Sequence, residues 1–163
     1  MTHYFTILSK KDKDPEVPRE ISVDVVGLRE NVVKEDVFTK RKIVATFNMF
    51  FNKGYDTVVY VAPNQKLTKD PLTLYDVEDA DATVFRFEKI LSSNPKQVSM
   101  VWDVAPPSYV LDNVIIIKNR TLAKDWLEMT SRPYFKNYNE LDVLNMITYY
   151  GGYKIRIRDI SEL

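Results

Sequence analysis

The sequence predicts a single α/β domain, a mixed sheet of about six strands flanked by about four helices, with at least one βαβ crossover. Apolar runs of strand length recur along the chain, and segments with apolar residues at helical spacing lie between them. At 163 residues the chain is long enough to bury a core without cross-links. No repeat or linker divides it, so we expect one domain over residues 1–163.

The N-terminal part of the chain predicts two strands joined by a long loop. Residues 3–8 predict a short strand, and Ile21, Val23 and Val25 alternate with polar residues as in a half-buried strand. Residues 10–19 are charged and contain two prolines, which indicates an exposed loop. We therefore expect the two strands to form a hairpin with a long connection.

The middle of the chain predicts helices that alternate with a buried strand. A first helix is capped by Asp36 and ends at Gly54, a residue suited to the left-handed position that follows many helices. The next segment, 57–62, is apolar on both faces and is expected at the centre of the sheet. A second helix is predicted from Asp76 to Leu91, with acidic residues in its first turn.

The C-terminal part predicts strands and helices in turn. Strands are expected at 98–102 and 114–117, helices at 121–130 and 139–150, and a last strand at 153–160. Two central strands, each preceded by a long helix, indicate a right-handed crossover and parallel pairing. The flanking strands carry one charged face each, which is typical of sheet edges or of antiparallel additions to a sheet.

Composition excludes several kinds of chemistry. The absence of cysteine excludes disulfides, thiolate catalysis, Fe–S clusters and cysteine-ligated zinc. His3 is the one histidine, so a histidine triad or a histidine pair on a metal is disfavoured. The four glycines form neither GxGxxG nor GxxxxGK[ST]. The sequence therefore predicts no catalytic residue, no metal site and no cofactor, and it leans towards a protein that is not an enzyme.

Two patterns in the sequence resemble metal sites but lack the arrangement that a metal needs. Four acidic residues open the second predicted helix: Asp76, Glu78, Asp79 and Asp81. Successive helical positions point around the axis, so we interpret these residues as helix-capping acids rather than as a Mg²⁺ site. A PD-(D/E)xK nuclease needs an acid two residues before its lysine, and Ile116 stands two residues before Lys118.

Polar residues follow three predicted strands, at the edge where open α/β sheets bind ligands. They are Asn64, Asp103, Lys118, Asn119, Arg120 and Thr121. The junction 118–121 is the best of the three, because a helix N-terminus there offers free N–H groups beside two cations. This pattern supports an alternative function, the binding of a nucleotide or phosphorylated ligand, with Asp103 as base, metal ligand or ribose contact. Ordinary polar loops and an N-cap at Thr121 explain the same residues.

A surface near the C-terminus supports the leading hypothesis. Lys154, Arg156 and Arg158 share one face of the last predicted strand, which either accepts a partner strand or protects an edge from aggregation. Aromatic residues nearby, including Tyr134 and Tyr138, suit a contact surface as well as a core. The leading hypothesis is a non-enzymatic interaction protein that binds another protein or itself. Nucleic-acid contact through the same strand face is a weaker alternative, because the formal net charge is zero.

The sequence also predicts a cellular location. The first residues lack the basic and apolar regions of a secretory signal, and no apolar run approaches the ~18 residues of a membrane span. We therefore expect a cytoplasmic protein that does not enter the membrane.

Overall fold

The computed structural model describes residues 1–8, 12–27, 41–74, 79–86 and 109–163. Its strands are β1 (Thr2–Leu8), β2 (Val23–Gly27), β3 (Thr57–Val61), β4 (Ala82–Arg86), β5 (Val110–Ile117) and β6 (Ile155–Asp159). Its α-helices are α1 (Lys42–Asn52), α2 (Pro71–Leu74), α3 (Arg120–Ser131) and α4 (Glu140–Tyr150), and 3₁₀ turns cover Pro133–Phe135 and Ile160–Glu162. The predicted α/β class, with six strands in one mixed sheet and four helices, is confirmed.

The six strands form one sheet in the order β2-β1-β3-β5-β4-β6. β1 pairs in parallel with β2 and β3, and β4 pairs in parallel with β6. β5 is antiparallel to both of its neighbours, β3 and β4. One edge of the sheet therefore collects the carboxyl ends of every strand except β5, and we call it the carboxyl-end edge. The opposite edge is the amino-end edge.

The core lies mainly between the sheet and the three longer helices. Buried side chains of β1, β3 and β5 on one face pack against α1, α3 and α4, as in the edge-to-face contact of Phe5 with Phe47 at 5.1 Å. The other face buries Val59, Val61 and Ile116, which pack with residues of the connecting segments such as Leu67. Strand β3 is buried at all five positions because it receives contacts on both faces.

The hairpin that was expected at the N-terminus is wrong, because β1 and β2 run parallel. At Glu16, whose backbone bonds Gln65 and Leu67, the chain lies at the carboxyl-end edge. It then returns to the amino-end edge before Val23, a distance that extended residues of ~3.3–3.6 Å each can span without a helix. Alternation of polar and apolar residues is the same in parallel and antiparallel edge strands, so it did not reveal the direction.

The prediction of a second helix is also wrong, because residues 82–86 form β4. Thr83, Val84 and Phe85 are β-branched or aromatic and fully buried, and side chains of this kind favour a strand packed on both faces. Asp79 and Asp81 therefore precede a strand, and their interpretation as helix caps is wrong. Parts of several predictions lie outside the described residues, namely Asp36, Asp76, Glu78, Leu91, residues 98–102 and Asp103.

Other predicted elements are confirmed. Helix α1 is followed by Gly54 with φ +99°, the left-handed conformation that glycine adopts without strain. The path from β2 through α1 to β3 is a parallel crossover that passes β1. Strands β2 and β6 are the outermost strands of the sheet. None of the helices in the described ranges is long and apolar enough to cross a membrane.

Candidate functional site

The topology of the sheet marks one place at its carboxyl-end edge. From β1 the chain proceeds to β2 on one side, and it then crosses to β3 on the other side of β1. In open α/β sheets such a reversal leaves a crevice beyond the carboxyl ends of the two strands, where ligands bind. We call this place the switch point. The described residues there belong to two segments, 12–16 after β1 and 62–66 after β3.

Asn64 and Lys13 join these two segments. The backbone N–H of Asn64 donates to the carbonyl of Lys13 at 2.9 Å, and the N–H of Lys13 donates to Asn64 Oδ1 at 3.1 Å. Asn64 has φ +65°, a left-handed conformation that asparagine tolerates better than most residues. Both residues are exposed. The switch point is therefore a fixed turn that presents an amide and a cationic residue to solvent.

Neighbouring residues hold the turn from both sides. Gln65 accepts a backbone hydrogen bond from Glu16 at 2.9 Å, and its side-chain Oε1 accepts from Asn113 Nδ2 at 2.9 Å. The N–H of Ala62 donates to the carbonyl of Asn113 at 2.9 Å. The turn after β3 is thus braced by β5 as well as by the segment after β1, which gives the site a defined backbone.

An irregularity in β5 lies at the same edge. Val84 of β4 faces Ile115, but the next residue, Phe85, faces Leu111, so residues 112–114 have no counterpart on β4. Extra residues of this kind change the direction of side chains and are common near active sites. Asp112 is exposed within this stretch. A carboxylate therefore lies one residue from Asn113, which bonds the turn of the switch point.

The surroundings of the buried hydroxyl of Tyr60 in β3 are acidic. Burial is the main reason that the pKa of Tyr60 is raised above its ordinary value. Three acidic side chains add to that increase in the pKa through their charge: Asp112, Glu140 and Asp12. The carboxyl-end edge is therefore acidic on the face of the sheet that packs against the helices.

Glu140 is the most strongly buried of these acids, with 5% of its surface exposed. Its Oε1 accepts hydrogen bonds from the N–H groups of Ile43 at 2.8 Å and Val44 at 3.3 Å, while its Oε2 has no hydrogen-bond partner. Burial raises the pKa of the Glu140 carboxyl to about 8, although the two backbone donors and Lys42 act to lower it. Glu140 therefore caps the N-terminus of α1 from a distant part of the chain. Arg41, the residue directly before α1, makes no side-chain capping hydrogen bond.

Sequence reasoning missed Glu140 and Lys13. Glu140 follows Asn139, which caps α4 through a hydrogen bond from the N–H of Asp142 at 2.8 Å, so an acid in this first turn is expected on local grounds alone. Its burial against α1 depends on a contact across 97 residues. Lys13 lies in a charged loop, and nothing in that loop indicates its pairing with Asn64.

The structure separates the residues that were expected to share one crevice. Asn64 lies at the carboxyl-end edge, whereas residues 118–121 lie at the amino-end edge, because β5 runs antiparallel and pairs Ile117 with Val58 at the start of β3. The prediction of one crevice lined by Asn64 and by residues 118–121 is therefore wrong. Asp103 lies outside the described residues. Ligand binding by the individual residues of the 118–121 junction stays a prediction.

The residues of the 118–121 junction already have structural roles. Asn119, rather than Thr121, caps α3, since its Oδ1 accepts from the N–H of Thr121 at 2.9 Å. The Nδ2 of Asn119 donates to Asp81 Oδ1 at 3.0 Å, and Arg120 donates to Asn52 Oδ1 at 2.7 Å. The backbone N–H of Lys118 donates to the carbonyl of Asp81 at 2.9 Å.

The C-terminal surface is only partly exposed. Arg156 and Arg158 lie opposite Thr83 and Phe85 of β4, and both arginine side chains are half-buried. Lys154, which precedes β6, donates its backbone N–H to Asp81 Oδ2 at 2.8 Å. The two tyrosines differ, since Tyr134 is 68% exposed and Tyr138 packs against the core; their part in an interaction surface stays a prediction.

Metal binding has no geometric support in the described ranges. Within them, no group of three or more histidine, aspartate or glutamate side chains is arranged to hold a metal ion. The acids around Tyr60 therefore do not form a ligand set.

Comparison with known proteins shows a likeness of fold. No family model matches the chain, and no curated protein matches it. The chain is similar to a solved structure described as a glycosyltransferase involved in the glycosylation of the major capsid of PBCV-1. The TM-score is 0.53 at 11% identity, and the match covers 96% of this chain and 81% of that one. This likeness contradicts the leading hypothesis of a non-enzymatic interaction protein, since the fold that the chain shares is that of an enzyme.

Proposed function

We propose that the chain is a glycosyltransferase that binds its glycosyl donor at the switch point. The observation that carries this proposal is the position of the Lys13–Asn64 pair, which lies where the topology of the sheet predicts a ligand. The shared fold with a glycosyltransferase supports an enzymatic role, and it extends over nearly the whole chain. A cytoplasmic location remains part of the proposal.

The residues at the switch point suit a donor whose leaving group is a phosphate. Glycosyl transfer breaks the bond between the anomeric carbon and the leaving group, on which negative charge develops. Lys13 is held at this edge through its backbone, and its ammonium group would stabilise that charge. The exposed amide of Asn64 would bind oxygen atoms of the donor. We therefore expect a sugar linked to a nucleoside diphosphate or monophosphate.

The second half of the reaction requires a base that takes up a proton. The new bond forms between the anomeric carbon and a hydroxyl oxygen of the acceptor, and the hydroxyl proton must leave. Asp112 is an exposed carboxylate at the same edge, in the irregular stretch of β5. We assign proton acceptance to Asp112, from which the proton passes to solvent.

The test is a titration of the whole chain with nucleotide sugars of different bases, in buffers with and without Mg²⁺ and Mn²⁺. Melting temperature reports binding, and release of the free nucleotide in the presence of sugar acceptors reports transfer. A bound donor at a hundred times its dissociation constant stabilises the fold by ~2.7 kcal/mol. Failure of every donor to bind or react would overturn the proposal.

Three variants locate the site. Lys13→Ala removes the cation, and Asn64→Gly removes the amide while it keeps the left-handed backbone without strain. We expect both to weaken donor binding. Lys118→Ala is the matched control, because it removes a cation at the amino-end edge. If Lys118→Ala weakens binding as much as Lys13→Ala does, the donor does not lie at the switch point.

A further inference from the structure

A cavity lies away from the switch point, on the side of the sheet that ends in β6. Its volume is about 230 Å³, below the ~300–1,000 Å³ of sites for drug-sized ligands, so it suits a smaller molecule. The lining comes from α3, from the end of α4 and from the connection to β6. The polar lining residues are Asp125, Glu128, Arg132 and Tyr153, and the apolar ones include Met129 and Ile147.

The charges in this cavity do not cancel. Arg132 Nη2 lies 2.9 Å from Glu128 Oε1, so this guanidinium and this carboxylate neutralise each other. Asp125 instead accepts a hydrogen bond from the hydroxyl of Tyr153, which is neutral. Burial and the hydrogen bond with Asp125 raise the pKa of Tyr153 to about 12, so the hydroxyl keeps its proton. Within the described ranges Asp125 has no cationic partner.

The end of α4 adds to the negative potential. Gly151 lines the cavity directly after the last turn of α4, and that turn contains no basic residue. The carbonyl groups at a helix C-terminus carry a partial negative charge, which favours a cation nearby. Met129 and Ile147 supply an apolar surface beside these groups. The cavity therefore combines one uncompensated carboxylate, a negative helix end and an apolar wall.

From this arrangement we propose that the cavity between α3, α4 and Tyr153 binds a small organic cation, a primary amine with an apolar body. The ammonium group contacts the Asp125 carboxylate and lies near the end of α4. The hydrocarbon part packs on Met129 and Ile147. This site is independent of the proposed glycosyl transfer, so the two can fail separately.

The test compares two probes of the same size on the whole chain. Benzylamine is cationic at neutral pH and benzyl alcohol is neutral, while their rings are identical. NMR titration of the methyl groups of Met129 and Ile147 locates each probe. We expect benzylamine to bind at these methyl groups about tenfold more tightly than benzyl alcohol, the difference that a hydrogen bond to a charged group supplies. Equal binding of the two probes, no binding, or shifts confined to other methyl groups would overturn the proposal.

Variants test the role of Asp125. Asp125→Asn keeps the shape and can still accept the Tyr153 hydrogen bond, but it removes the charge. We expect it to bind benzylamine about tenfold more weakly and benzyl alcohol unchanged. Glu20→Gln is the matched control, since Glu20 is an exposed carboxylate outside the cavity. Unchanged binding of benzylamine by Asp125→Asn would contradict the assignment of the cation site to Asp125. The comparison of the two probes uses the natural chain, so it does not depend on whether a variant folds.

Discussion

The side-chain amide of Asn145 in α4 bonds both backbone polar groups of Val110, the first residue of β5. Its Oδ1 accepts from the N–H of Val110 at 2.6 Å, and its Nδ2 donates to the carbonyl at 3.1 Å. Strand β3 ends at Val61, which faces Val114, so no residue of β3 lies beside Val110. Asn145 therefore takes the place of a neighbouring strand at this end of β5, and it does so without any exposed surface.

Replacement of Asn145 by alanine is expected to destabilise the fold strongly. Asn145→Ala leaves a buried N–H and a buried carbonyl without partners, each at a cost of ~1–3 kcal/mol. Urea unfolding should therefore give a free energy of unfolding lower by about 2–4 kcal/mol. Thr148→Ala is the control on the same helix, because the Thr148 hydroxyl donates to the Leu144 carbonyl of its own helix. Similar losses in the two variants would contradict the role given to Asn145.

Asp81 is expected to contribute to stability although it lies at the sheet edge. Its carboxylate accepts from Asn119 Nδ2 at 3.0 Å and from the N–H of Lys154 at 2.8 Å, so it ties the starts of β4, α3 and β6 together. Asp81→Ala should lower the free energy of unfolding by about 2 kcal/mol, since hydrogen bonds to charged groups contribute ~1.5–3 kcal/mol each where they are shielded from water. Asp79→Ala, an exposed neighbour, should have little effect. Equal losses of free energy of unfolding in the two variants would show that the negative charge, rather than these hydrogen bonds, stabilises the fold.

Glu140 should make stability depend on pH. The pKa of its carboxyl is raised to about 8 in the folded chain from an ordinary value of 4.5, so the folded chain holds the proton after the unfolded chain has lost it. The free energy of unfolding therefore falls as pH rises from 4.5 to 8, by at most about 1.4 kcal/mol per pH unit from this group. Below pH 4.5 both states are protonated, and the contribution is fully present.

Glu140→Gln should remove this slope, because glutamine resembles the protonated carboxyl and does not titrate. Urea unfolding at several pH values between about 5 and 8 measures the slope of each protein. Glu20→Gln changes an exposed carboxylate and should keep the slope of the natural chain. If Glu140→Gln keeps it too, another group is responsible for the pH dependence.

The candidate site was only partly predictable. Asn64 was found from its position after a buried strand, and this position is local information. Lys13 was not found, because its pairing with Asn64 joins residues 51 apart in the chain. The junction at 118–121 was assigned to the wrong edge. Its own residues give no sign that the preceding strand runs antiparallel.

The sequence by itself determined the elements whose patterns are strong and local. Residues 58–61 are apolar throughout and lie in the buried strand β3, Gly54 follows α1 where a left-handed residue is needed, and the helix expected at 139–150 is α4. Only the tertiary structure decided the directions of β2 and β5 and the strand at 82–86. The direction of a strand depends on which neighbours pair with it and on how the chain returns to it, and alternation of side chains is the same in both directions. For that reason the sequence predicted a ligand edge, while the fold decided that Asn64 lies at that edge and Lys118 does not.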